Sequence, residues 1–132
     1  MTDAILEQNR TERECEDLLE GMLGLNELDR GVFRLLIESP EPLTVDAVAE
    51  FIDRERTTAY RSVKRLQETG LVEKEQENCD CGGYHHVYRI TDPDEIADGF
   101  QRMLNDWYAE TGQLIQEFRE TYGENRPPEI DP

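Results

Sequence analysis

Two helix signatures joined by only four residues constrain this chain more than any other feature. Thr44 is suited to cap a helix over Val45–Ile52, and Leu43 ahead of it can pack back on Val48 as a hydrophobic staple. Ala49 is small where another helix has to cross closely. The second signature runs from about Thr57 to Thr69, with Ala59, Val63 and Leu66 at helical spacing and Gly70 as a left-handed stop. A turn as short as Asp53–Arg56 makes the two helices meet at an angle. The second then stands proud of the surface, with Thr57, Thr58, Tyr60, Arg61, Lys64 and Arg65 facing outward.

The flanking segments complete a recognisable order. Residues 1–11 are expected to be a flexible N-terminus. A helix follows over Glu12–Leu23, its apolar stripe formed by Cys15, Leu18, Leu19 and Met22, and Gly24 can stop it. Asn26 is placed to cap a second helix with Asp29 at its third position, and Ser39-Pro40-Glu41-Pro42 ends that helix. Beyond Gly70, strands are predicted over Leu71–Gln76 and Tyr84–Ile90, with the glycines of Asn78–Gly83 between them. Asp92-Pro93-Asp94-Glu95 then opens a helix that runs to about Tyr122. The expected fold class is mainly α with a small β-hairpin, a winged helix-turn-helix with an N-terminal helix and a long C-terminal dimerisation helix. Its domain occupies 12–92, the long helix 93–122, and 123–132 forms a disordered tail.

Charge singles out one surface. The 132 residues carry 31 acids against 14 bases, net −17. Residues 54–65 hold five bases (Arg54, Arg56, Arg61, Lys64, Arg65) and one acid, Glu55, a local +4 that leaves −21 for the rest. A basic island on a proud helix is the footprint of a phosphate-facing surface. Arginine can pair with guanine edges, threonine methyls can touch thymine, lysine meets phosphate as a point charge, and the helix N-terminus offers N–H groups to it. Arg54, Arg56, Thr57, Thr58, Tyr60, Arg61, Lys64 and Arg65, with His85 and Arg89 of the second strand, are the candidate DNA-binding residues. For Tyr60, packing on the neighbouring helix is an equal alternative. The acid excess and the choice of arginine over lysine resemble proteins of salt-loving archaea, since only Lys64 and Lys74 are lysines.

The stretch Thr57-Thr58-Ala59-Tyr60-Arg61-Ser62-Val63-Lys64-Arg65-Leu66, followed by Glu68-Thr69-Gly70-Leu71-Val72, resembles the recognition helix and first wing strand of MarR-like and TrmB-like archaeal regulators. Gly82-Gly83-Tyr84-His85-His86-Val87-Tyr88-Arg89 and the long helix after it resemble the short, single-domain TrmB-like proteins of haloarchaea. The resemblance implies the fold and DNA binding. Larger TrmB members carry a C-terminal sugar-binding domain for which this chain is too short, so no sugar ligand is expected.

In the last helix, Ile96, Phe100, Met103, Trp107, Leu114 and Phe118 form a near-heptad stripe that Leu104, Tyr108 and Ile115 widen. This is more apolar surface than one small domain can cover, and it predicts a homodimer with two reading helices about one DNA turn apart.

Cys79, Cys81, His85 and His86 crowd the hairpin and leave three readings open: a metal site, a thiol-based redox response, or an ordinary wing loop. Their spacing is not that of common zinc folds, and adjacent histidines on a strand point to opposite faces. Cys15 reads as a small buried hydrophobe, or as a redox thiol if its helix meets a partner's. No cofactor is expected beyond that open metal ion. No catalytic set emerges, so an enzyme is not expected. The longest apolar runs, such as Leu35–Ile37, are three residues, which predicts a cytoplasmic protein that leaves membranes alone. The expected function is that of a sequence-specific, double-stranded-DNA-binding transcription regulator acting as a homodimer, redox-responsive if its thiols take part. The alternatives are a winged-helix module that binds other transcription proteins, or a metal-responsive regulator using the Cys/His wing.

Overall fold

Capping chemistry decides where most of the helices begin. In the computed structural model, the backbone of residues 2–80 and 82–123 and the side chains of 9–80 and 82–123 are described. The order is α1 (Thr2–Leu23), α2 (Glu27–Glu38), α3 (Val45–Ile52), α4 (Arg56–Glu68), β1 (Val72–Asn78), β2 (Tyr84–Ile90) and α5 (Pro93–Tyr122). At the start of α2, Asp29 N–H donates to Asn26 Oδ1 at 2.8 Å and Asn26 N–H to Asp29 Oδ2 at 3.3 Å, a reciprocal capping box. Thr44 Oγ1 accepts from the Ala47 amide at 3.1 Å and starts α3. Asp92 Oδ1 accepts from the Asp94 amide at 3.0 Å where α5 opens.

Helix α1 begins at Thr2, well ahead of the expected Glu12, so the backbone of residues 2–11 is helical rather than an irregular lead. No glycine or proline interrupts residues 2–20, and Ala4, Leu6, Glu7, Gln8 and Arg10 are good helix formers. Gly24, with φ +70°, makes the left-handed stop that an L side chain would strain.

The chain divides into two compact units, Met1–Ile96 and Ala97–Pro132. In the first, Val32 and Leu36 of α2, Val48 of α3 and Ala59, Val63 and Leu66 of α4 are buried together with Leu71. Each such valine or leucine contributes roughly 1.5–3 kcal/mol on burial. The hairpin closes this core with Val72, Val87 and Tyr88. Its strands pair antiparallel from Val72↔Ile90 to Asn78↔Tyr84, two residues beyond the expected end of the first strand. Leu43 adds a bridge on the other edge of β2, its N–H donating to Tyr88 O at 2.9 Å and its O accepting from the Tyr88 N–H at 2.8 Å. The link before α3 is thereby tied to the wing.

Cys15 is exposed, not buried as expected. Polar pairs hold α1 against α2: Arg34 Nη2 lies 2.7 Å from Glu16 Oε1, and Arg30 Nη1 3.2 Å from Glu20 Oε2. Of the four residues on the expected stripe only Leu19 is buried; Leu18 is exposed and Met22 half-buried. In the second unit α5 buries none of its residues, and Met103, Trp107, Leu114 and Phe118 are exposed. Ile96 and Phe100 are half-buried. Residues 124–132, most of the expected tail, lie outside the described residues. Among the described residues no helix is long and apolar enough to cross a membrane.

Candidate nucleic-acid interface

Helix α4 buries Ala59, Ser62, Val63 and Leu66 along one face. Its other face exposes Thr57, Tyr60, Arg61 and Lys64, with Thr58 half-buried and Arg54 exposed in the preceding turn. Tyr60 is 43% exposed, so it stands at the surface instead of filling the core. The start of α4 differs from those of α2 and α3. Glu55 at the N-cap makes no side-chain cap, and no acid lies in the first turn. An N-terminus left this way turns its amides and its partial positive charge toward an anion.

The basic residues fall into three groups. Arg54, Arg61 and Lys64 have no side-chain partner among the described residues. Arg56, His85 and Arg89 are held by surface carboxylates. Arg56 Nε sits 2.8 Å from Asp46 Oδ1, and His85 Nε2 lies 3.5 Å from Glu77 Oε1. Arg89 reaches Glu73 Oε2 at 2.9 Å and Glu75 Oε1 at 2.6 Å. Exposed pairs of this kind are worth about 0–1 kcal/mol and exchange readily for another anion. Arg56, Tyr60, His85 and Tyr88 line a cleft of about 370 Å³ between the start of α3, α4 and the wing. Burial first, then the neighbouring Tyr60 phenol, raises the Tyr88 hydroxyl, with Arg56 pulling the other way.

Arg65 forms the third group: its guanidinium turns back to a buried carboxylate of α2 instead of standing free on the outward face. Its Nε lies 2.9 Å from Asp29 Oδ2 and its Nη2 2.8 Å from Asp29 Oδ1, a two-point grip on a carboxylate that is 1% exposed. Ser62 Oγ donates to the same Oδ1 at 2.6 Å. A buried carboxylate cannot release its counter-charge cheaply, so Arg65 belongs to the fold. Asp29 announced itself in the sequence only as a helix cap; no local signal ties it to residues 33 and 36 positions away.

Burial pushes the Asp29 carboxyl up, but the bonds from Arg65, Ser62 and the Asn26 amide and the Arg65 charge prevail, and its pKa is lowered. A depressed carboxyl stabilises the fold above its unfolded pKa, about 4 for aspartate, and loses that contribution as pH falls through the folded value. Urea midpoints measured from pH 6 down to pH 2 should therefore fall more steeply for the parent than for Asp29→Asn. Parallel slopes would contradict the assignment.

Among the described residues, the Cys/His group of the wing is not brought together. The His86 ring meets Tyr84 edge-on at 6.0 Å, and His85 turns to Glu77. Cys79 is disulfide-bonded and so offers no thiolate, and Cys81 lies outside the described residues. Among the described residues no three His, Cys, Asp or Glu side chains gather as a metal site.

Comparison with known proteins agrees with this geometry. The model of the family described as "Sugar-specific transcriptional regulator TrmB" matches residues 19–94. The uncharacterized protein MJ1082 of Methanocaldococcus jannaschii is 32% identical over 105 residues, covering 80% of this chain and 86% of that protein. A possible transcriptional regulator from Methanosarcina mazei Go1 superposes with a TM-score of 0.69 at 29% identity, over 78% of this chain and 87% of that one. The S. aureus MepR–DNA complex shares the fold, with a TM-score of 0.51 at 11% identity over 91% of this chain and 95% of that one. The chain belongs to the TrmB family and is a winged-helix transcriptional regulator, not an enzyme.

Proposed function

We propose that this regulator binds duplex DNA as a homodimer, with α4 in the major groove and the β1–β2 wing against the adjacent backbone. The carrying observation is the outward side of α4: Arg61 and Lys64, with Arg54 beside its uncapped start, lack carboxylate partners among the described residues of a chain of net −17. Arg61 is placed to read guanine edges, while Lys64, Arg54 and the first-turn amides meet phosphate. Arg56, His85 and Arg89 exchange their surface carboxylates for the backbone. MepR, solved with DNA, shares the fold and supports the docking mode. The test is fluorescence anisotropy on the tightest duplex that the parent selects from a random pool. The parent should bind it, and Arg61→Ala/Lys64→Ala should bind it roughly 30- to 1000-fold more weakly.

The exposed α5 stripe supports the dimer. Trp107, Leu114, Ile115 and Phe118 are each more than half exposed, an apolar run that a soluble regulator covers with a partner. A second copy fits, because a near-heptad stripe is complementary to itself about a two-fold axis.

The disulfide at Cys79, beside the hairpin turn, supports a thiol-responsive wing. Opening it with dithiothreitol should weaken duplex binding several-fold, and Cys79→Ser should be insensitive to the reductant. Equal affinity of the parent with and without dithiothreitol would sink this part of the reading.

A further inference from the structure

We infer that Asp29 is a positioning residue for DNA reading: through Ser62 and Arg65 it fixes the rotation of α4 about its own axis, and so decides which side chains meet the base edges. The inference rests on the DNA reading above. Asp29 is 1% exposed and is engaged on both oxygens. Oδ1 accepts from Ser62 Oγ at 2.6 Å and Arg65 Nη2 at 2.8 Å; Oδ2 accepts from Arg65 Nε at 2.9 Å and from the Asn26 amide at 3.3 Å. The last of these belongs to the capping box of α2, so the carboxylate cannot swing with α4. Ser62 and Arg65 stand one turn apart on one face, and two anchors on a single carboxylate define an angle.

The rest of the inner face, Ala59, Val63 and Leu66, is apolar. Apolar contact is non-directional, whereas a two-point guanidinium–carboxylate grip has a fixed geometry. Each anchor also follows a reading base by one residue: Arg61 precedes Ser62, and Lys64 precedes Arg65. With side chains ending about 5–6 Å from the helix axis, a turn of roughly 15° carries their tips about 1.5 Å. That is enough to break a hydrogen bond to a base. Phosphate attraction is far less sensitive to such a displacement, since it acts over a screening length of about 8–10 Å.

Arg65→Lys keeps the positive charge beside Asp29 and removes the fork. The measurement compares affinity for the tightest duplex that the parent selects from a random pool with affinity for the unselected pool. For Arg65→Lys the ratio of the two should fall roughly tenfold or more, the cost of losing about one base-pair readout. Pool affinity should stay within about threefold, since the phosphate contacts survive. A purely structural defect would lower both affinities by the same folded fraction and leave the ratio intact. Asp29→Leu/Arg65→Met guards against a folding failure, because apolar replacement of a buried pair is often neutral for stability. It should unfold as cooperatively as the parent and show the same loss of discrimination. Discrimination equal to the parent's in either folded variant overturns the inference. A parent that binds no duplex overturns the DNA reading, and this inference with it.

Discussion

Replacing Arg61 and Lys64 together with alanine should cost about 2–4 kcal/mol of duplex affinity, roughly 30- to 1000-fold in Kd. Arg61 accounts for most of it if it pairs bidentately with a guanine, worth about 1–3 kcal/mol. Lys64 supplies a phosphate contact, so its loss should also reduce the magnitude of the salt slope by about one. Both side chains are exposed, and neither has a partner among the described residues. The fold should therefore hold to within about 0.5 kcal/mol, as surface substitutions usually do. Circular dichroism and thermal unfolding check that condition. Unchanged duplex affinity would show that α4 does not face DNA and would favour docking to another transcription protein.

The second large effect concerns assembly. Trp107→Glu or Phe118→Glu puts a carboxylate into the α5 stripe, where Trp107 is 61% and Phe118 66% exposed in the single chain. Such anchors typically cost 2 kcal/mol or more when lost, and an unpaired buried charge adds to that. Sedimentation equilibrium near 10 µM should show the parent as a dimer and either variant as a monomer, with association weakened by about 100-fold or more. Folding of the first unit should be untouched, since neither residue contributes to its core. Duplex affinity should drop as well, because one α4 then reads one half-site alone. A monomeric parent, or variants that sediment with it, would refute the interface.

What was legible in the sequence was local. Asn26 with Asp29, Thr44, and Asp92-Pro93 each carry their helix start within four residues, and all three starts are where the spacing predicts. The hydrophobic period of α4 likewise set its buried face at Ala59, Val63 and Leu66. The errors involve partners far along the chain. Arg65 looks like any other base of its island until Asp29 arrives from α2. Leu43 gives no sign of its ladder with Tyr88, 45 residues later. Cys15 sits on an expected apolar stripe of which only Leu19 is buried, and α1 also meets α2 through arginine–glutamate pairs, which a hydrophobic period cannot report.

The bridge from Leu43 has one more effect, on colloidal behaviour. It covers part of the outer edge of β2, so the longest open sheet edge among the described residues is that of β1. That edge reads Glu73, Lys74, Glu75, Gln76, Glu77. Two copies aligning there would set carboxylates against carboxylates, and the strand-to-strand addition that begins a fibril is opposed at its first step. A crowded solution of this protein thus meets its neighbours across an open strand that is guarded by charge.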